Sequence, residues 1–177
     1  MSIVCFGDSN TYGYDPRGYL GGRYDAENRW VDLIAEKTGK TVVNAGMNGR
    51  EIPRAEILFP ADTELLILML GTNDVLQGAD SATVISRMAH FLDHIALPSG
   101  KIFLIAPPHL QPGSWVDTAY LIDVSRALAK GYQQIATEKG IRFTDAGLWS
   151  IPLAFDGVHF TEEGHRIFAE RLAPLLD

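Results

Sequence analysis

The sequence is short of cysteine, of basic residues and of long apolar runs, and each shortage sets a class of protein aside. Cys5 is the only cysteine in 177 residues, so no intrachain disulfide can form and nothing calls for an oxidising compartment. Lysine and arginine number 15 against 22 acidic residues, a net charge of −7. Phosphate neutralisation needs a basic face, and no run of Lys or Arg supplies one, so nucleic acid is not an expected partner. The longest apolar run, Leu65–Leu70, is far too short to cross a hydrocarbon core of about 30 Å. The opening Met-Ser-Ile-Val-Cys-Phe lacks a basic n-region and the apolar stretch of a signal peptide. The expectation is a cytoplasmic protein without a membrane partner.

What is present is ordinary in bulk and specific in detail. A hydrophobic content of 46% and a charged content of 21% fit a globular chain able to bury about two-thirds of its unfolded surface. No repeat, linker or low-complexity tract divides it, so residues 1–177 read as one domain. Ile3–Phe6, Thr41–Val43, Leu65–Leu70 and Ile102–Ala106 are short apolar runs bounded by Gly, Pro, Asn or Asp, the pattern of strands buried on both faces. Ile141–Phe143 is a weaker fifth. Between them Asp80–Leu97, with Val84, Met88, Leu92 and Ile95 on one stripe, and Asp117–Lys139, with Leu121, Leu128, Tyr132 and Ile135, have helical period. Trp30–Lys37 is a shorter version. A last helix has Thr161 as its cap, Glu162 and Glu163 in its first turn, and Pro174 at its end. Alternating strands and helices predict an α/β protein, a three-layer α/β/α sandwich on a five-stranded parallel sheet.

The polar motifs fall where that architecture puts ligands. Gly7-Asp8-Ser9-Asn10 follows the first strand, Asn44-Ala45-Gly46 the second and Gly71-Thr72-Asn73-Asp74 the third. Asp156-Gly157-Val158-His159 precedes the last helix. In open α/β sheets, sites form outside the carboxyl ends of the strands, so separate loops converge on one crevice. Ser9 is a candidate nucleophile, provided a base takes its proton. His159 is that base, and Asp156, three residues earlier, can reach its far ring nitrogen and fix the tautomer. Oxyanion donors are expected from the Ser9 and Gly46 amides and the Asn73 side chain.

Each residue also has a plainer reading. A serine after a strand is usually a turn or cap residue, Asp156-Gly157 is a common turn, and Asn73 suits a helix cap. The set, not any member, carries the argument.

In that order and spacing the four segments resemble the blocks of the SGNH, or GDSL-type, hydrolases, across nearly the whole chain. The resemblance implies a flavodoxin-like sandwich, a Ser9–His159–Asp156 triad and an oxyanion hole from Ser9, Gly46 and Asn73. Asp8 and Asp74 would flank the site, Asp8 holding the turn. It implies no cofactor and no metal, and a small-molecule ester as the partner; a homo-oligomer is left open. Asn10 stands where the family's name has leucine. The segment from Phe6 to Tyr14 is similar to small arylesterase and carbohydrate acetylesterase members.

A serine esterase for short, acetyl-type esters of small aryl alcohols or carbohydrates is therefore expected, with Tyr12, Tyr14, Tyr19 and Trp115 rimming its pocket. Two rivals stand beside it. His90, Asp93 and His94 have helical spacing that a metal-dependent hydrolase can use, although a solvated polar face, opposite the Val84–Met88–Leu92–Ile95 stripe, explains them better. A non-catalytic binding module of the same fold is the other. His109, in the loop after the fourth strand, is placed near the pocket. His165, Cys5, Trp30 and Trp149 are expected to be packing residues.

Overall fold

The computed structural model describes residues 2–18 and 21–176. Its sheet is built from β1 (Ser2–Gly7), β4 (Val42–Gly46), β5 (Thr63–Met69), β6 (Ile102–Ala106) and β7 (Arg142–Asp145). They lie in the order β4-β1-β5-β6-β7, every pairing parallel. A small antiparallel hairpin, β2 (Tyr14–Asp15) with β3 (Gly22–Arg23), stands apart.

Side-chain alternation sorts the strand residues into two cores. Val4, Phe6, Leu66, Leu68 and Leu104 face α4 (Ser81–Asp93) and α5 (Ala119–Lys139), meeting Val84, Met88, Leu128 and Tyr132. Ile3, Cys5, Ile67, Phe103 and Ile105 face α2 (Trp30–Thr38) and α6 (Glu162–Leu172), meeting Trp30, Ile34 and Phe168. A continuous apolar run serves both layers because successive residues point to opposite faces. The expected sandwich is the observed one.

Local chemistry explains the ends. Asp80 accepts from the Thr83 amide at 2.8 Å and opens α4; Thr161 accepts from the Gly164 amide at 3.0 Å and opens α6. The α4 helix stops at Asp93 rather than at Leu97, with the His94 ring turned back onto the His90 carbonyl at 2.7 Å. Pro174 does not end the helical backbone outright: it sits at the start of a 3₁₀ turn, Ala173–Leu175. Two short helices had no signal in the periodicity, α1 (Ser9–Tyr12) and α3 (Thr72–Leu76). At four and five residues they are too short to show one.

The strand order reverses beside β1, since the chain goes from β1 to β4 on one side and to β5 on the other. Such a switch point opens a crevice at the carboxyl edge. Ser9 follows β1 and Asn73 follows β5, so both stand at its mouth.

One buried group gives the fold a pH signature. His165 on α6 is fully buried; its Nδ1 accepts from the Trp30 amide at 3.4 Å and its Nε2 has no partner. Burial, with Arg29 and His159 nearby, pushes it from 6.5 down to about 3. Between those values the unfolded chain takes a proton that the fold refuses, so stability falls as pH falls through that window. The His165→Phe variant should lose less stability between pH 6.5 and pH 4, by up to about 1.4 kcal/mol per pH unit. Denaturant melts across that range measure the slope, which is insensitive to a uniform loss of stability. Equal slopes in the two proteins would assign the acid sensitivity elsewhere.

Candidate active site

The Asp156–His159 loop is built to hold an imidazole. Asp156 Oδ1 accepts from the Val158 and His159 amides, both at 2.9 Å, which curls the loop around the carboxylate. Gly157 has φ +78° and would drive a Cβ to 2.0 Å from the Gln111 carbonyl oxygen, so the turn requires glycine. From this turn His159 Nδ1 donates to Asp156 Oδ2 at 2.6 Å. That bond leaves Nε2 as the acceptor, and Nε2 lies 3.0 Å from Ser9 Oγ, 150 residues away in the chain.

The three residues are almost fully buried, at 6% exposure for Ser9, 1% for Asp156 and 3% for His159. Burial raises the Asp156 carboxyl, but hydrogen bonds from the His159 ring and the two amides outweigh it and hold it below its ordinary value. It is therefore an anion at neutral pH, fit to stabilise a protonated imidazole.

The loop is braced from outside. Gln111, Ser114 and Trp115 donate their amides to the carbonyls of Gly157, Phe155 and Asp156 at 3.0–3.1 Å. The Trp115 ring meets His159 edge-on at 5.2 Å, and the Tyr14 ring lies against it at 4.6 Å. His159 thus contacts two aromatic side chains.

Ser9 opens α1, with Asp8 as its cap; Asp8 accepts from the Asn10 amide at 3.0 Å. The Ser9 N–H is one of the amides that a helix start leaves without an intrahelical partner. Burial pushes the Asp8 carboxyl up to about 6, against the pull of the Asn10 amide, His159 and Arg50. Asp74 accepts from the Ile52 amide at 2.9 Å and from Arg87 at 2.8 Å, tying the 50–52 segment to α4. Neither carboxylate lines the cavity at Ser9.

That cavity, of about 350 Å³, is bounded by Ser9, His159, Asn73 and Gly49, with Asn48 and Gln77 adding amides and Tyr14 and Trp115 adding rings. Asn73 donates one N–H to the Arg50 carbonyl at 3.1 Å, which fixes its amide and leaves a second N–H to give.

Gly46 is the expected oxyanion donor that the structure leaves out. Its N–H is committed to Asn44 Oδ1 at 3.0 Å, and a Cβ there would lie 2.1 Å from the Tyr12 nitrogen. Glycine at 46 serves the close approach of α1 to β4. The turn that follows, closed by the Arg50 amide on the Met47 carbonyl at 3.2 Å, carries the chain on to Gly49, which does line the cavity.

Residues 5–167 match the model of the GDSL-like lipase/acylhydrolase family. The chain belongs to that family. As a GDSL-family member it is a carboxylic ester hydrolase. Solved structures agree in fold over almost the full length. An Agrobacterium tumefaciens protein assigned as an arylesterase is 28% identical, with a TM-score of 0.81 over 99% of this chain and 97% of that one. The M. smegmatis aryl esterase is 25% identical, with a TM-score of 0.83 over 99% and 97%. A carbohydrate acetylesterase family member from Sinorhizobium meliloti is also 25% identical, at 0.81 over 99% and 96%. No curated protein sequence matches the chain.

The remaining expectations have mixed outcomes in this GDSL-family enzyme. His90, Asp93 and His94 lie exposed at the end of α4, where Asp93 pairs with Lys139 and one His94 nitrogen is taken by the His90 carbonyl. Among the described residues no group of three or more His, Cys, Asp or Glu side chains is arranged to hold a metal. His109 is not at Ser9; it lines a separate cavity of about 460 Å³ with Arg126 and Asp145. Tyr12 turns away to lie under Arg23, 4.4 Å from its guanidinium carbon. Tyr19 lies outside the described residues. Trp30 and Trp149 pack against Phe168, and Cys5 and His165 are buried, as expected. The sequence reading missed Asn48, Gly49 and Gln77. Only Gly49 had a clue, as the glycine of the turn after β4.

Proposed function

We propose that this hydrolase works through an acyl-enzyme on Ser9. The Ser9 hydroxyl attacks the ester carbonyl as His159 Nε2 takes its proton, and Asp156 steadies the resulting imidazolium. The oxyanion is received by the Ser9 and Gly49 amides and the Asn73 side chain. His159 then protonates the departing alkoxide, and a water molecule repeats the sequence to release the acid. The observation that carries this reading is the continuous relay from Asp156 through His159 to Ser9, at 2.6 and 3.0 Å.

The substrate is a short-chain ester, acetyl above all, of a small aryl alcohol or a carbohydrate. The cavity of about 350 Å³ is rimmed by amides and two aromatic rings, and Trp115 is 54% exposed, so it offers a flat face to a leaving group. A methylene that finds no apolar wall forgoes about 0.8 kcal/mol. The names of the aryl esterase and carbohydrate acetylesterase neighbours point the same way.

Intact-mass analysis after a fluorophosphonate should show one adduct, mapped to Ser9. Across p-nitrophenyl acetate, butyrate, octanoate and palmitate, kcat/KM should be highest for acetate, with acetylated sugars also cleaved. A maximum at octanoate or beyond would refute the substrate class and spare the nucleophile. An unlabelled Ser9 in an active preparation would refute the mechanism.

A further inference from the structure

Asn10 holds both main-chain neighbours of the histidine base. Its Nδ2 donates to the Val158 carbonyl at 3.1 Å and its Oδ1 accepts from the Phe160 amide at 2.9 Å. One bond therefore falls on each side of residue 159, much as a strand residue grips the residue opposite in a parallel ladder. Asn10 is 5% exposed and both bonds are buried, so they are shielded from water.

Its own backbone is equally constrained. The Asn10 N–H bonds to Asp8 at 3.0 Å, and its carbonyl accepts from Trp30 Nε1 at 2.9 Å. Ser9 lies between Asp8 and Asn10. The Ser9 turn and the His159 loop are thus joined through a single rigid side chain. Among the described residues, these two bonds and the Ser9–His159 bond are the only hydrogen bonds between residues 8–13 and 156–160.

Asp156 acts differently. It grips His159 from within the same loop, three residues away, and moves with it. It orients the ring but does not set the loop's distance from Ser9. A leucine, which follows the serine in the family's name, offers neither a donor nor an acceptor.

We infer that Asn10 is a positioning residue that sets the Ser9 Oγ–His159 Nε2 distance, and with it the rate of proton transfer from the nucleophile. The inference rests on the acyl-enzyme reading above. Binding of substrate and the Asp156–His159 pair do not depend on it.

The test uses Asn10→Ala, which removes both bonds, and Asn10→Asp, which keeps the acceptor for the Phe160 amide and loses the donor. For each, kcat and KM on p-nitrophenyl acetate, the rate of fluorophosphonate labelling, the melting midpoint and the far-downfield proton resonance of His159 Nδ1–H are recorded. Both kcat and labelling should fall together by about 10- to 100-fold, the scale of a misplacement near 1 Å. KM should stay within about twofold and the downfield proton should persist. Melting points lowered with kcat and labelling unchanged would overturn the inference, as would a change in KM alone or loss of the downfield proton. Should Asn10→Ala not fold, Asn10→Asp decides the matter by the same criteria. Ser9→Ala runs in parallel: activity surviving there would remove the acyl-enzyme reading itself, whereas a silent Ser9→Ala beside fully active Asn10 variants would remove only the role of Asn10.

Discussion

Replacing Ser9 by alanine is expected to leave a folded protein whose kcat toward p-nitrophenyl acetate is lower by about 10⁴-fold or more. The side chain is small, so the loss should appear in turnover rather than in the melting midpoint. The same assay applied to His159→Ala should give a loss of similar size. Asp156→Ala should cost somewhat less in turnover, because a histidine without its carboxylate can still reach the working tautomer part of the time. It should also cost stability, since Asp156 Oδ1 accepts two buried amides at 2.9 Å that alanine would leave unpaired. Losses in the double variants should fall well short of the sum of the single ones, because the three groups act as one relay. Near wild-type turnover in Ser9→Ala would refute the nucleophile assignment.

The second large effect is expected at Asn73. Removing its amide should lower kcat about 10²- to 10³-fold with little change in KM, because the oxyanion exists only in the transition state. The amide already gives one N–H to the Arg50 carbonyl, so Asn73→Asp is the sharper comparison. It keeps the size and replaces a donor with a negative charge beside a developing negative charge. Its kcat should be no higher than that of Asn73→Ala. A loss confined to KM in both variants would make Asn73 a substrate contact.

Much of this was legible in the chain itself. Ile3–Phe6 and Ile102–Ala106 became β1 and β6 with at most one residue of difference at either end, and Thr161 capped α6 as its residue type predicts. Three of the polar blocks were found from the turn residues that follow apolar runs, and the fourth, Asp156–His159, from its place before the last helix. Ser9, His159, Asp156 and Asn73 came together as expected. The same reasoning misplaced an oxyanion donor at Gly46, put His109 near the pocket, and saw in Asn10 only a departure from the family's name. Residue type could not distinguish Gly46 from Gly49, since each is a glycine behind the apolar run Thr41–Val43; the structure ends β4 at Gly46 and puts only Gly49 in the turn.

The division follows the range of the forces involved. Periodicity, capping and turn chemistry act over a few residues, so the sequence by itself determined the five strands of the sheet, the main helices, their order and the loops that carry the chemistry. Sheet order then placed those loops at one edge through the general rule for parallel α/β proteins. Which N–H faces the cavity depends on what else binds it. Asn44 takes the Gly46 amide, and the Met47–Arg50 turn brings Gly49 to the cavity wall. Asn10 meets Val158 and Phe160 only because α1 docks beside a loop about 150 residues further along the chain. Such directions are set by contacts between distant segments, and the tertiary structure alone decided them.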